Sequence, residues 1–113
     1  MVTEFTDSIE VISSPNYEQH LVEILEYSIE TFGHVQTGKY FDKISRLVES
    51  LATDYTHHPE CRFLATKSRK YRNIILDAHL IIYRVTAERI EVLDILHSAS
   101  SIRKIRDVRS IRL

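Results

Sequence analysis

YRNIILDAHLIIYRVTAERIEVLDILH, residues 71–97, decides the fold. It holds three runs of apolar, β-branched and aromatic residues, separated at Asp77-Ala78 and at Ala87-Glu88. Each run has the ordinary strand length of about 5–6 residues, which predicts three antiparallel strands joined by two-residue loops. Neither loop carries a glycine, so the hairpins are read from spacing and pattern rather than from turn chemistry.

Such loops fix the partners by arithmetic: Val85 opposite Ile90, Arg84 opposite Glu91, Tyr83 opposite Val92 and Ile82 opposite Leu93. One face is then Ile74, Leu76, Ile81, Tyr83, Val85, Ile90, Val92 and Leu96, interrupted by Arg72 and Asp94. The other is Ile75, Leu80, Ile82, Leu93 and Ile95, with Tyr71, Asn73, Arg84, Glu91 and His97 as its polar members. Both are too apolar to meet water, so both require cover. The second is the more polar and is the expected working surface. A one-residue slip in any strand would exchange its two faces.

The remainder of the 113 residues fits one α+β domain with a single core. The composition, 43% hydrophobic and 27% charged, is that of a soluble globule. No apolar run approaches the roughly 20 residues that span a bilayer. The polar start MVTEFTDS is unlike a signal peptide, and the lone Cys61 leaves no internal disulfide; both lead to a cytoplasmic expectation. The net charge of −1 hides an asymmetry: residues 1–60 carry eleven acidic against three basic side chains, and residues 61–113 twelve basic against five acidic. That split is either internal, acidic helices lying beside basic strands, or a basic surface made for an acidic partner or nucleic acid.

Ahead of the strands, SIEVIS at Ser8–Ser13 alternates apolar with polar and reads as a first strand. Ser14-Pro15 then starts a helix, with Ser14 as N-cap and Pro15 at the first helical position. Tyr17, Leu21, Ile24, Leu25, Ser28 and Phe32 form its apolar stripe, and Gly33 ends it. A second stripe, Tyr40, Ile44, Leu47, Val48, Leu51 and Tyr55, follows a short link. The pair is an αα-hairpin covering one sheet face. Burying six such side chains per helix stabilises by on the order of 10 kcal/mol before entropy is subtracted. Its aromatic residues are accordingly read as structural.

THHPECRFLATKSRK, residues 56–70, breaks the pattern and reads as a loop with a basic second half. His57, His58 and Cys61 lack a fourth ligand in zinc spacing, so no metal and no cofactor is assigned. After His97, Ile102-Arg103, Ile105-Arg106, Val108-Arg109 and Ile111-Arg112 recur every three residues. Ser100 or Ser101 can cap a short basic helix there, with residues 108–113, like residues 1–7, expected to be flexible.

Four segments go further: FG at Phe32-Gly33, KYFDKISRLVESLA at Lys39–Ala52, HLIIYRV at His79–Val85 and IEVLDILHSAS at Ile90–Ser100. Together, across roughly residues 8–105, they resemble the RelE/ParE superfamily of type II toxin–antitoxin toxins. The resemblance implies a small toxin, often tied to plasmid stabilisation, whose growth inhibition is silenced by a cognate antitoxin. A dimer or a heterotetramer with the antitoxin is the implied assembly. Two activities divide that superfamily: RelE-like members cut mRNA on the ribosome, and ParE-like members act on DNA gyrase without being nucleases.

Cutting RNA requires an acid, a base and cations within reach of one phosphate. The candidates for that role are His97 and Arg84, supported by Arg72, Arg69, Lys67 and Tyr71. Several nuclease members place arginine where this chain has Leu80, and their terminal catalytic residue lies nearer the end than His97 does. These departures favour a ParE-like gyrase inhibitor over the endonuclease, with an inactive antitoxin-binding homologue as a third reading. For a binder, the expected surface is Arg69, Lys70, Arg72, Arg103 and Arg106. The plain alternatives are that His97 bonds a backbone group and that Arg84 with Glu91 is a cross-strand pair.

Overall fold

A computed structural model describes residues 8–113; the expectation of a flexible segment at 1–7 lies outside them. The quoted stretch folds as β2 Tyr71–Ile75, β3 His79–Val85 and β4 Arg89–His97, an antiparallel meander. Both connections are the two-residue loops expected. Leu76 N–H donates to the His79 carbonyl at 2.9 Å, and Thr86 N–H to that of Arg89 at 3.0 Å. Neither loop needs a positive φ. At the second, the Thr86 hydroxyl does what a glycine turn does elsewhere, accepting from Arg89 N–H at 3.0 Å and donating to its carbonyl at 2.8 Å.

Val85–Ile90, Arg84–Glu91 and Tyr83–Val92 pair as the arithmetic requires, and then the ladder shifts: Ile82 faces Asp94, not Leu93. Leu93 is the extra residue of a β-bulge. Ile95, Leu96 and His97 therefore change face. Ile95 joins the helix-side core and Leu96 the opposite one, the reverse of the expected assignment. Ser14 anchors the bulge from outside the sheet: its N–H donates to the Val92 carbonyl at 2.9 Å and its hydroxyl to that of Leu93 at 2.5 Å. Asp94 turns to His20, with Nδ1 and Oδ1 2.5 Å apart.

β1 Glu10–Ser13 completes the sheet in the order β1-β4-β3-β2, running parallel to β4. Ser14 then caps α1 Pro15–Asp54 by accepting from Tyr17 N–H at 2.9 Å. α1 is two arms, broken at Gly33, whose φ of 85° and ψ of 172° are essentially confined to glycine. The second arm begins directly after Gly33 rather than after a link. The chain reverses there: Ser28 and Thr37 hydroxyls lie 2.7 Å apart, whereas nine residues of straight helix would span roughly 13 Å. Tyr17, Ile44 and Leu51 are buried against the sheet among Leu21, Ile24, Leu47 and Val48, as the stripes predict. Phe32 is the exception, 64% exposed at the hairpin tip.

The second face is covered too. α2 Ile102–Asp107, capped by the Ser101 hydroxyl, and a 3₁₀ turn at Val108–Ser110 bring Ile105 and Val108 onto Ile82, Leu93 and Leu96. Cys61 and Leu64 from the loop fill the rest. That loop also screens the β2 edge: Cys61 N–H donates to the Tyr71 carbonyl and Asn73 N–H to that of Pro59. The more polar face is thus an interior layer rather than an open working surface.

Candidate functional site

A groove of about 700 Å³ opens where the hairpin tip overhangs the start of β3 and the end of β4. Tyr27 and Phe32 line it from the first arm, Gln36 and Tyr40 from the second, His79 and His97 from the sheet, and Lys104 from α2. Tyr27, 67% exposed, and Phe32 are the large apolar side chains that the hairpin presents there, and Val35, 76% exposed, follows two residues after Gly33. Apolar side chains gathered this way at one end of a small protein mark a contact surface. Gly33 makes it: the reversal turns Phe32 away from the core stripe that its spacing assigns to it.

The groove floor is polar and ordered. Tyr40 and His79 bond at 2.7 Å through hydroxyl and Nδ1, and the His79 and His97 rings meet edge to face at 5.7 Å. Burial lowers the His79 pKa, and the neighbouring His97 lowers it further. Burial raises that of Tyr40, with Asp77 adding to it. A neutral imidazole and a protonated phenol let Tyr40 donate to Nδ1. His97 accepts the Ala99 N–H at 3.0 Å through Nδ1, a bond to a backbone group.

Arg84 is elsewhere. His79 pairs with His97 and Arg84 with Glu91, so the two candidates sit at opposite ends of β3, roughly 16 Å apart at about 3.3 Å per residue. The bulge also puts them on opposite faces, so His97 and Arg84 are not brought to one centre. Arg84 is buried and fully committed. Nε donates to Glu91 Oε1 at 2.7 Å, Nη2 to the Ile111 carbonyl at 3.0 Å, and Nη1 reaches the Tyr71 hydroxyl at 3.5 Å. Arg89 donates to the other Glu91 oxygen. Burial works to raise the Glu91 carboxyl, but the two guanidiniums outweigh it and hold it below its ordinary range. The cross-strand pair expected here is therefore the centre of a buried network.

Arg69, Lys70 and Arg72 do converge, around a notch of about 280 Å³ at the Val85 end of the sheet. Arg103 and Arg106 stand exposed on α2, apart from them. His58 packs edge-on against Tyr83 while Cys61 is buried in the opposite layer. Among the described residues no three His, Cys, Asp or Glu side chains are grouped to hold a metal. Helix spacing places Phe32 and Tyr40 in the core, so the groove is not legible in it. The available signal was the aromatic directly before a helix-breaking glycine, with Val35 just beyond it.

A family model for the ParE toxin of the type II toxin–antitoxin system, parDE, matches residues 11–102. In fold the chain is similar to a solved structure described as the chromosomal ParDE TA system from P. aeruginosa, with a TM-score of 0.65 at 15% identity. That match covers 81% of this chain and 98% of the other. No curated protein sequence matches.

Proposed function

The chain belongs to the ParE toxin family of type II toxin–antitoxin systems, and from that premise we propose that it is a growth inhibitor acting on DNA gyrase, neutralised by a cognate antitoxin. The observation that carries the antitoxin half is the groove lined by the exposed Tyr27 and Phe32. An amphipathic helix is the partner chemistry that fits: apolar residues at i, i+3 and i+4 for the aromatics, and a carboxylate toward Lys104. Such a partner would cover the largest apolar exposure of the hairpin.

The gyrase half rests on the family and on the dispersal of the nuclease candidates. An endonuclease needs its acid, base and cations around one phosphate, and His97 and Arg84 do not meet.

Expression in a sensitive cell tests the target, and supercoiling by purified gyrase tests it directly. Arrest with damaged DNA, intact transcripts and loss of supercoiling is expected. Rapid loss of translation with cut transcripts would instead identify a ribosome-dependent endonuclease. Co-expression of the antitoxin should restore growth, and Phe32→Ser should weaken that rescue about tenfold or more in antitoxin affinity while leaving the fold intact.

A further inference from the structure

The notch at the other end of the sheet is not part of the groove. We propose that it is a binding site for a phosphate group of a nucleic-acid backbone, held by Arg69 and Arg72 with the Ser68 hydroxyl beside them and Lys70 at the rim.

Three observations converge on an anion. First, the lining of the notch carries three cations and no carboxylate. The adjacent Glu60 is already committed, accepting the Thr66 N–H at 3.0 Å. Second, the site is built before any ligand arrives. Arg72 Nη1 donates to the His58 carbonyl at 2.7 Å and reaches that of Thr56 at 3.4 Å, which fixes the guanidinium and leaves its other N–H groups to act as a fork. The turn carrying the other cations is closed by Thr66, whose carbonyl accepts from Arg69 N–H at 3.1 Å and whose hydroxyl accepts from Lys70 N–H at 3.2 Å.

Third, Arg69 has a φ of 54°, and among the described residues it is the one non-glycine in the left-handed region. Turn chemistry alone would place glycine or asparagine there. A long cationic side chain held in a sparsely populated backbone conformation is typical of a site where the side chain serves a contact. Lys70 is less committed to the notch, since its ammonium lies 5.5 Å from the centre of the Tyr71 ring. A phosphodiester is the anion that suits this set: planar donors from two arginines, a hydroxyl, and an open approach for a polymer.

Arg69→Gly isolates the claim, because it removes the cation and relieves the backbone at once. The variant should be as stable as the parent or more so, which excludes unfolding as the cause of any loss. Fluorescence anisotropy of the full chain with a labelled single-stranded DNA, its RNA counterpart and a DNA duplex, each over a salt series, gives affinity and salt slope. Arg69→Gly should lower affinity several-fold at low salt and reduce the slope by about one, as loss of one phosphate contact does. Arg72→Lys, which keeps the charge but loses the fork, should weaken binding with little change in slope.

An Arg103→Ala/Arg106→Ala variant should retain the salt slope that Arg69→Gly reduces. Inorganic phosphate competing better than chloride at equal ionic strength would assign the notch to a small phosphate. Equal competition with the Arg69 dependence intact would assign it to a polymer backbone. The proposal is overturned if no probe binds, if inorganic phosphate competes better than chloride, if Arg69→Gly leaves the slope unchanged, or if the α2 arginines account for all of it. None of these results bears on gyrase inhibition, which is read separately.

Discussion

Replacing Arg84 by Met tests whether the buried network, rather than the apolar layers alone, fixes the C-terminal segment. The Arg84 and Glu91 side chains are 10% and 8% exposed, so the substitution strands a carboxylate away from water. Removing one partner of a buried pair costs about 3–5 kcal/mol. Arg89 still reaches the other Glu91 oxygen at 2.8 Å and is about a third exposed, which softens that cost. The lost bonds to Ile111 and Tyr71 add roughly 1 kcal/mol between them. The expected destabilisation at pH 7 is about 3 kcal/mol, near 12 °C in Tm for a chain of this size.

Urea denaturation followed by circular dichroism measures it, and pH supplies the control. Glu91 is held below its ordinary pKa of 4.5 in the parent. Its contribution is present above that value and fades as pH falls through the lowered folded one. The variant lacks most of that contribution, so its deficit should narrow in acid. Arg84→Met with Glu91→Leu should recover most of the loss, since no unpaired charge remains. A deficit under about 1 kcal/mol, the range of an exposed pair, would show that the network does not hold the segment. So would a deficit that is unchanged at pH 4.

Gly33→Ala should cost about 1–3 kcal/mol although no atom lies within 4 Å of the added methyl group, because the penalty is entirely the backbone angle. Thermal melts of Gly33→Ala and Gly33→Asn measure it, with equal stability of parent and variants as the contrary result. His58 and His79 both titrate below their ordinary 6.5, chiefly through burial. Their neutral forms are therefore favoured by folding, and stability should decline as pH falls from 7 toward 5. Chemical denaturation across that range tests the sign, and His79→Gln should flatten part of the slope.

Much of the architecture was legible in periodicity. Alternation located the strands, and the stripe from Tyr40 to Tyr55 located the second helical arm. The Arg84–Glu91 pair followed from counting two residues per loop. What counting could not supply was the bulge at Leu93, because neither Leu93 nor Asp94 carries a local mark of one. The bulge is held by Ser14 and His20, which lie far away in sequence, and it alone reversed the faces of Ile95, Leu96 and His97. The same limit applied to the sites. Arg69, Lys70 and Arg72 are close in sequence, and they line one notch. The groove drew on both helical arms, the sheet end and α2, and its key event was a change of direction at Gly33 that helix spacing ignores.

Ser14 also says something about how the molecule is made. Its hydroxyl bond to Leu93 spans 79 residues, and β1 runs alongside the last strand of the sheet rather than its neighbour in sequence. Closing a loop of that length costs about 4 kcal/mol of chain entropy. The parallel edge is therefore expected to form after the local hairpins and after the helical arms have met. During synthesis at about 5–20 residues per second, the first strand waits several seconds for its partner to be made. Until β4 has left the ribosome, the helix-side core lacks Ile90, Val92 and Ile95, and the groove lacks Leu96 and His97. Assembly of the groove is thus tied to near-completion of the chain, and a truncation before β4 should not yield a fold.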